Sequence, residues 1–335
     1  MFDLYPHQTR ALEQIRASLG AGRKRVMVMA PTGFGKTILA AKIAEGILAK
    51  GRRLIFTAPA IELIDQTVEK FEKNGTDPAL IGVLQADHPR TDPERPIQVA
   101  SVQTLMNRDI PPADLVMIDE AHRRFAFVRN WMHQADWARI PFIGLSATPW
   151  SYGLDEDYET LLIAETTAGL IEGGFLSGFR VFASSHPDMS GVGISQGDYK
   201  VGQAADVMMK DELVGDVVET WLRLADNRPT LVFATNRAHA RQLQSRFRDR
   251  GIEAAYIDAM TPRETRDVIA AQFNNKELRV VVNVGVLTTG VDWDVRCISI
   301  ARPTRSEIMH VQIMGRGLRP APGKDHCLIL DHADN

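Results

Sequence analysis

Three groups of residues in this chain could do chemistry. Gly33-Phe34-Gly35-Lys36-Thr37 is a glycine-containing loop that ends on an ammonium and a hydroxyl. Backbone N–H groups of such a loop converge on phosphate oxygens, and a helix starting there adds partial positive charge. Lys36 would reach the β- and γ-phosphates of a nucleotide, and Thr37 would offer its hydroxyl to Mg²⁺. Asp119-Glu120 sets two carboxylates side by side. Asp119 suits Mg²⁺, held through water, and Glu120 suits orienting and deprotonating an attacking water. Arg316 and Arg319 are three apart. That spacing places two guanidinium forks on one helical face, where lysine could not supply the same planar geometry. A solvated basic helix end is the bland alternative for this pair.

Elements must hold these groups in place. Arg25 to Met29 is an apolar run that breaks at Pro31, and Ile38 to Lys50 has helical character. Strand, loop, helix is the order a phosphate loop requires. Ala30 stands where G-x-x-x-x-G-K-[ST] begins with glycine; it closes the strand, where a Cβ is tolerable. Leu115 to Ile118 is a second apolar run, delivering Asp119 and Glu120 at its carboxyl end, where ligands sit in open α/β sheets. Arg53–Thr57, Pro96–Ala100 and Pro141–Leu145 read as further buried strands. Ile61 to Lys73 reads as a helix. Gly144-Leu145-Ser146-Ala147-Thr148 is not a nucleophile elbow, because G-x-S-x-G needs glycine at 148.

Upstream, Gln8 leads a helical stretch, Thr9 to Leu19. Its amide can donate to and accept from an adenine edge, and Tyr5 could stack on the base. Pro59, Gln66, Ser101, Gln103 and Thr104 follow strand ends. Small polar side chains there can touch nucleic acid phosphates, and are equally ordinary loop and cap residues. Residues 150–210 are glycine-punctuated, with a short helix over 168–176 and a strand over 180–183 crossing toward a second domain. Strands over 230–235, 254–258, 279–286, 297–301 and 327–330 then alternate with helices over 237–250, from Thr261-Pro262, and over 307–314. Thr261 reads as a helix cap with Pro262 at the first helical position.

Composition narrows the class. With 335 residues, 44% hydrophobic and 24% charged, the chain suits two soluble globular domains. Net charge is −3, and residues 211–335 hold 17 basic against 17 acidic side chains. A nucleic acid site would therefore be a local groove rather than a whole-protein attraction. Cys297 and Cys327 lie in apolar runs without a Cys-x-x-Cys, which suggests buried thiols and no zinc. No signal peptide or membrane span is visible, so a cytoplasmic protein is expected, bacterial or phage in a host.

Ala30 to Thr37, Asp119-Glu120-Ala121-His122 and Ser146-Ala147-Thr148 resemble motifs I, II and III of superfamily 2 helicases. Pro59, Leu63 and Gln66 resemble motif Ia, Ser101 to Thr104 the next strand-end motif, and Gln8 the Q motif. Leu231 to Asn236, Leu287 to Asp292 and Gln312 to Arg319 resemble motifs IV, V and VI. The likeness covers residues 4–332 and is strongest to the bacterial and phage DEAH group around the repair protein RadD. Such proteins continue into a cysteine-rich zinc region, which residues 1–335 lack.

The resemblance implies an α/β protein of two tandem RecA-like domains, each a mostly parallel sheet flanked by helices. ATP would sit in the cleft between them. Domain 1 would span 1–180, a crossing segment 181–210, and domain 2 211–335. Thr32, Gly33, Phe34, Gly35, Lys36 and Thr37 would bind nucleotide with Gln8, Gly290 and Asp292, and Thr37 and Asp119 would hold Mg²⁺. Arg316 and Arg319 would join Lys36 and Glu120 in catalysis as arginine fingers. His122, Ser146, Thr148 and Gln312 would couple nucleotide state to domain position. Pro59, Gln66, Ser101, Gln103, Thr104, Asn236 and Thr288 would contact nucleic acid. The implied protein is a monomeric DNA-dependent ATPase or helicase acting on single-stranded or forked DNA, in repair or phage replication, with repair or replication proteins as partners. A duplex translocase, an RNA helicase, an ATP-gated clamp and a P-loop kinase are alternatives.

Overall fold

The computed structural model describes residues 3–85, 88–183, 185–287 and 293–335. Two compact units divide the chain, Met1–Leu170 and Ile171–Asn335.

In the first unit, α1 (Pro6–Gly20), β1 (Arg25–Met29), α2 (Lys36–Leu48), β2 (Leu54–Ala58) and α3 (Ile64–Lys73) lead into β3 (Ile81–Leu84). Then come β4 (Ile97–Ser101), α4 (Val102–Leu105), β5 (Leu115–Asp119), α5 (Ala126–His133), β6 (Phe142–Ser146), α6 (Leu154–Asp157) and β7 (Thr160–Ile163). The seven strands make one parallel sheet in the order β3-β4-β2-β5-β6-β1-β7. Its central strands are buried along their whole length, as a sheet covered on both faces demands. Register decides where the chemistry lies. Met29 pairs with Ser146 and Asp119 with Leu145, so β1, β6 and β5 end together on the carboxyl side of the sheet.

A buried cation braces the far end of β1. Arg25 donates to the carbonyls of Lys24, Met132, Trp137 and Ile140, and its guanidinium lies 4.6 Å from the Phe142 ring centre. It thereby ties the end of α5 to the sheet, while Trp131 of α5 packs edge-on to Phe142.

The helix α7 (Thr167–Glu172) spans the division between units. The second unit continues with β8 (Gly178–Ala183), the small hairpin β9 (Ile194–Ser195) and β10 (Asp198–Tyr199), α8 (Val201–Met208) and α9 (Asp211–Leu224). The remainder is β11 (Thr230–Ala234), α10 (Arg237–Asp249), β12 (Ala254–Ile257), α11 (Arg263–Asn274), β13 (Val280–Asn283), β14 (Cys297–Ala301), α12 (Glu307–Gly317) and β15 (His326–Asp331). Six strands form a second parallel sheet, β12-β13-β11-β14-β15-β8. Cys297 and Cys327 are buried and unbridged in it, and burial raises both thiols above their ordinary range.

Several boundaries differ from those the sequence suggests. The segment expected to cross between domains instead contributes β8, paired with β15 over all six residues, so the second unit starts at Ile171. Proline starts α1 at Pro6, three residues early. The expected cap Thr261 is displaced by Pro262, because its hydroxyl bonds Asp258 on both N–H and Oδ1. Gly251, at φ +74°, ends α10 as expected of a glycine past a helix.

Candidate active site

The loop after β1 begins at Ala30, a buried residue whose N–H donates to the Ser146 carbonyl (2.8 Å). The methyl group that replaces the usual glycine is accommodated inside. Gly33 and Gly35 sit at φ +85° and +89°, a region glycine enters without a Cβ clash. Space also matters at Gly35, where a Cβ would lie 2.4 Å from Gln8 Nε2. Phe34 turns inward and meets His7 edge-on at 4.9 Å, so only its backbone is available to a ligand. Helix α2 starts from Gly35 with no side-chain cap. Among the described residues the N–H groups of Gly33, Gly35, Lys36 and Thr37 meet no backbone acceptor. Unsatisfied donors around a helix start, beside a lysine, fit a phosphate chain. Lys36 Nζ rests 3.4 Å from the Ala30 carbonyl.

Gln8 is buried rather than solvated. Its Oε1 accepts from the Tyr5 N–H (3.0 Å), closing the first turn of α1, and its Nε2 donates to the Phe34 carbonyl (2.9 Å). His7 Nε2 lies 3.4 Å from the same carbonyl. The amide therefore holds the phosphate loop to α1. A primary amide has two N–H donors, and the Phe34 carbonyl takes one of them. Nothing in the apolar pattern pointed to His7; its only signal was its place beside Gln8.

At the end of β5, Asp119 Oδ1 accepts from the Glu120 N–H (3.0 Å). Glu120 adopts φ +49°, a left-handed conformation that disfavours a side chain by roughly 1 kcal/mol or more and clusters at functional sites. Its Oε2 lies 3.3 Å from His122 Nδ1, which is also 2.9 Å from Ser146 Oγ. Ser146 Oγ accepts from the Thr148 N–H (3.0 Å). One buried chain of polar groups thus joins Glu120, His122, Ser146 and Thr148 across the ends of β5 and β6. Burial holds His122 below the usual histidine range, against the pull of Glu120.

Burial and the adjacent Glu120 push the Asp119 carboxyl above its ordinary range, and Lys36 draws it back only in part. A buried carboxyl beside a second carboxylate and a lysine fits a site that receives a cation. The linkage has a definite sign. An acid whose folded pKa is raised destabilises the fold once ionised, so the penalty appears as pH rises above the ordinary value of ~4. Asp119→Asn is expected to stabilise the apo protein by about 1–3 kcal/mol at pH 8. Thermal melts should show a higher Tm at pH 8, with the gain fading toward pH 4. A lower Tm at pH 8 would contradict this reading of the carboxylate pair.

In the second unit, α12 ends at Gly317 with Leu318 as its cap. Arg316 is buried in the last turn, whereas Arg319 falls beyond the helix. The two arginines therefore do not share a helical face as their spacing suggested. The reason is Pro320, which disfavours helical backbone in the residue before it. Lys324 Nζ donates to the Gly317 and Arg319 carbonyls (2.6 and 2.7 Å), and the Ser177 N–H to the Leu318 carbonyl (2.8 Å). Gln312 is buried on the same helix. Thr288, Gly290 and Asp292 lie outside the described residues.

Two family models match this chain. "Type III restriction enzyme, res subunit" covers residues 1–151, and "Helicase conserved C-terminal domain" covers 210–321. The chain has the core of a superfamily 2 helicase. A 51.5 kDa protein of a Lactococcus phage is 26% identical to this helicase core over 92% of the chain and 66% of its own length. The Saccharomyces cerevisiae protein IRC3, provisionally named an ATP-dependent helicase, is 28% identical over 98% of the chain and 51% of its own length. The helicase core thus spans about half to two thirds of these relatives. The type ISP restriction-modification enzyme LlaBIII, solved bound to DNA, shares the fold at a TM-score of 0.72 and 18% identity, over 98% of this chain and 27% of its own.

The residues that helicase motifs would offer to nucleic acid are unequally available. Gln66 and Gln103 are exposed, and Thr104 is half-buried. Gln103 Nε2 lies 3.5 Å from the carbonyl of Pro59, itself buried. Ser101 is fully buried, with its hydroxyl capping α4 through the Thr104 N–H (3.0 Å), so it shapes the strand end rather than facing a ligand. Asn236 likewise caps α10, accepting from the His239 N–H (2.8 Å).

Proposed function

We propose that this helicase core hydrolyses Mg-ATP to move on or separate DNA. The observation that carries the reading is the meeting of the phosphate loop, Asp119-Glu120 and the His122–Ser146 link at the carboxyl ends of β1, β5 and β6. Lys36 and the free loop N–H groups hold the phosphates, and Gln8 uses its remaining N–H on the adenine. Thr37 and Asp119 would hold Mg²⁺, which when bound neutralises phosphate charge. Glu120 orients the attacking water and takes its proton. Arg316 and Arg319 stabilise charge on the γ-phosphate in the transition state, with Gly290 and Asp292 as further nucleotide contacts. His122, Ser146, Thr148 and Gln312 convey nucleotide state. Gln66, Gln103 and Thr104 touch the nucleic acid backbone, joined by Asn236 and Thr288.

Relatives named for restriction enzymes, and one structure solved with DNA, support DNA over RNA. A role in repair or phage replication fits the phage relative. Among the described residues no helix is long and apolar enough to cross a membrane. The test is ATPase rate against single-stranded, duplex and forked DNA and RNA. We expect DNA to stimulate turnover, with stimulation falling steeply as salt rises, because phosphate contacts release counterions. Stimulation by RNA alone, or by no nucleic acid, would sink the proposal. A motor that tracks duplex without opening it is the second reading; strand displacement from a forked substrate separates the two.

A further inference from the structure

The second unit contains a cavity that none of the helicase motifs uses. Pro229, Arg279, Arg296 and His326 line it, and these residues stand at the amino-terminal ends of β11, β13, β14 and β15. The segments resembling motifs IV and V run to the opposite, carboxyl ends of β11 and β13, whereas Arg316 and Arg319 precede β15. Its volume is about 270 Å³, just under the roughly 300–1,000 Å³ typical of drug-sized ligands. A small group fits it, a whole nucleotide poorly.

The lining is strongly cationic. Arg228, Lys276, Arg279, Arg296 and Lys324 face two carboxylates, Asp226 and Asp325. Some of this charge is already engaged. Arg296 pairs with Asp294 (2.9 Å) and donates to the Pro322 and Gly323 carbonyls. Asp325 sits 2.7 Å from His326 Nδ1, and Arg228 Nη1 lies 3.1 Å from His326 Nε2. Among the described residues, the Lys276 and Arg279 side chains have no hydrogen-bond or ion-pair partner. The register of β11 on β13, Thr230 beside Val280, brings the Arg228 and Arg279 turns to the same edge.

We propose that this pocket binds a phosphate group, belonging to a free oligophosphate or to a nucleic acid strand, through Arg228, Lys276 and Arg279. Guanidinium forks match phosphate oxygens bidentately, and the excess of cations suits a group with more than one negative charge. Lys324 connects the pocket to the helicase machinery. Lys324 lines the cavity, and its ammonium donates to the carbonyls of Gly317 and Arg319. Burial holds that ammonium below the usual lysine range, with Arg296 and Arg319 adding to the effect against the larger opposing pull of Cys327 and Asp294. A bound anion offsets this and competes with the two carbonyls for the same three protons. The pocket is thereby one hydrogen bond from the segment carrying Arg319, and it stands whether or not Arg319 acts in hydrolysis.

The probe is pyrophosphate, titrated into the Lys36→Ala chain so that the phosphate loop does not compete. We expect saturable binding by calorimetry, and slower hydrogen exchange in peptides covering 226–229, 276–279 and 322–326. Adding K276E and R279E should raise the pyrophosphate Kd at least tenfold. Absence of binding to the Lys36→Ala chain, exchange protection elsewhere only, or equal affinity in the triple variant each overturns the proposal. The exchange measurement needs no pocket substitution, so it stands even if the triple variant misfolds. Displacement of pyrophosphate by a short single strand assigns the phosphate to nucleic acid; binding undisturbed by the strand assigns it to a free oligophosphate.

Discussion

Lys36→Ala is expected to lower ATP turnover by roughly 10²–10³-fold or more, the loss seen when one preorganised donor to a developing charge is removed. The argument starts from what Lys36 does in the protein alone. Its ammonium makes one long contact, 3.4 Å to the Ala30 carbonyl. It is the cation that draws Asp119 most strongly toward its ionised form. Removal therefore deprives the phosphates of a positive charge and takes from Asp119 a cation that favours its ionised, Mg²⁺-binding form. Neither loss touches the packing of α2, whose buried face is Leu39, Ala40, Ala41, Ile43 and Ala44. Turnover should collapse while Tm stays within a degree or two. An ATPase assay beside a thermal melt checks both, and normal turnover in this variant would remove the active-site assignment.

The parallel strands were legible because both their faces are buried, so each one reads as an unbroken apolar run closed by a turn residue. The loop at residues 30–37 was legible for a related reason, since its glycines and lysine answer to backbone geometry and charge rather than to a partner elsewhere. What escaped was context. Strand β7 has alternate residues exposed and lacks the continuous apolar signature of a central strand. The strand expected over 180–183 is present in β8, but its place at the edge of the second sheet, beside β15, left no mark in its sequence. Helix α9 did carry a readable stripe, Val214, Val217, Val218 and Trp221, but it lay within and beside a stretch where glycines dominated the pattern. Polar residues were hardest. Gln8, Ser101 and Asn236 have side chains suited to ligands, and the fold uses each one to satisfy backbone groups at a helix start. A sequence does not show whether an amide or hydroxyl is already engaged. Lys324 escaped for the same reason, because its two acceptors are carbonyls that only the end of α12 brings within reach.

Arg316→Ala and Arg319→Ala are each expected to leave ATP binding within a few-fold of normal and to reduce hydrolysis by about 10³-fold, the lower end of the arginine-finger range. The structure separates the two in a way their spacing does not. Arg316 is buried in the last turn of α12, so its removal also leaves a cavity and loses packing. Arg319 lies half-buried beyond the helix, and its backbone is fixed independently of its side chain by Ser177 and Lys324 on its carbonyl. Arg319→Ala should therefore lose hydrolysis with little change in Tm, whereas Arg316→Ala should lose both hydrolysis and some stability. Arg319→Lys provides the chemical control. It keeps the charge and loses the planar fork, so turnover should recover only in small part. Measuring ATP affinity with a non-hydrolysable analogue alongside turnover distinguishes a finger from a binding residue. If Arg319→Ala hydrolyses ATP normally and loses only affinity for DNA, the guanidinium belongs to the nucleic acid and not to the γ-phosphate.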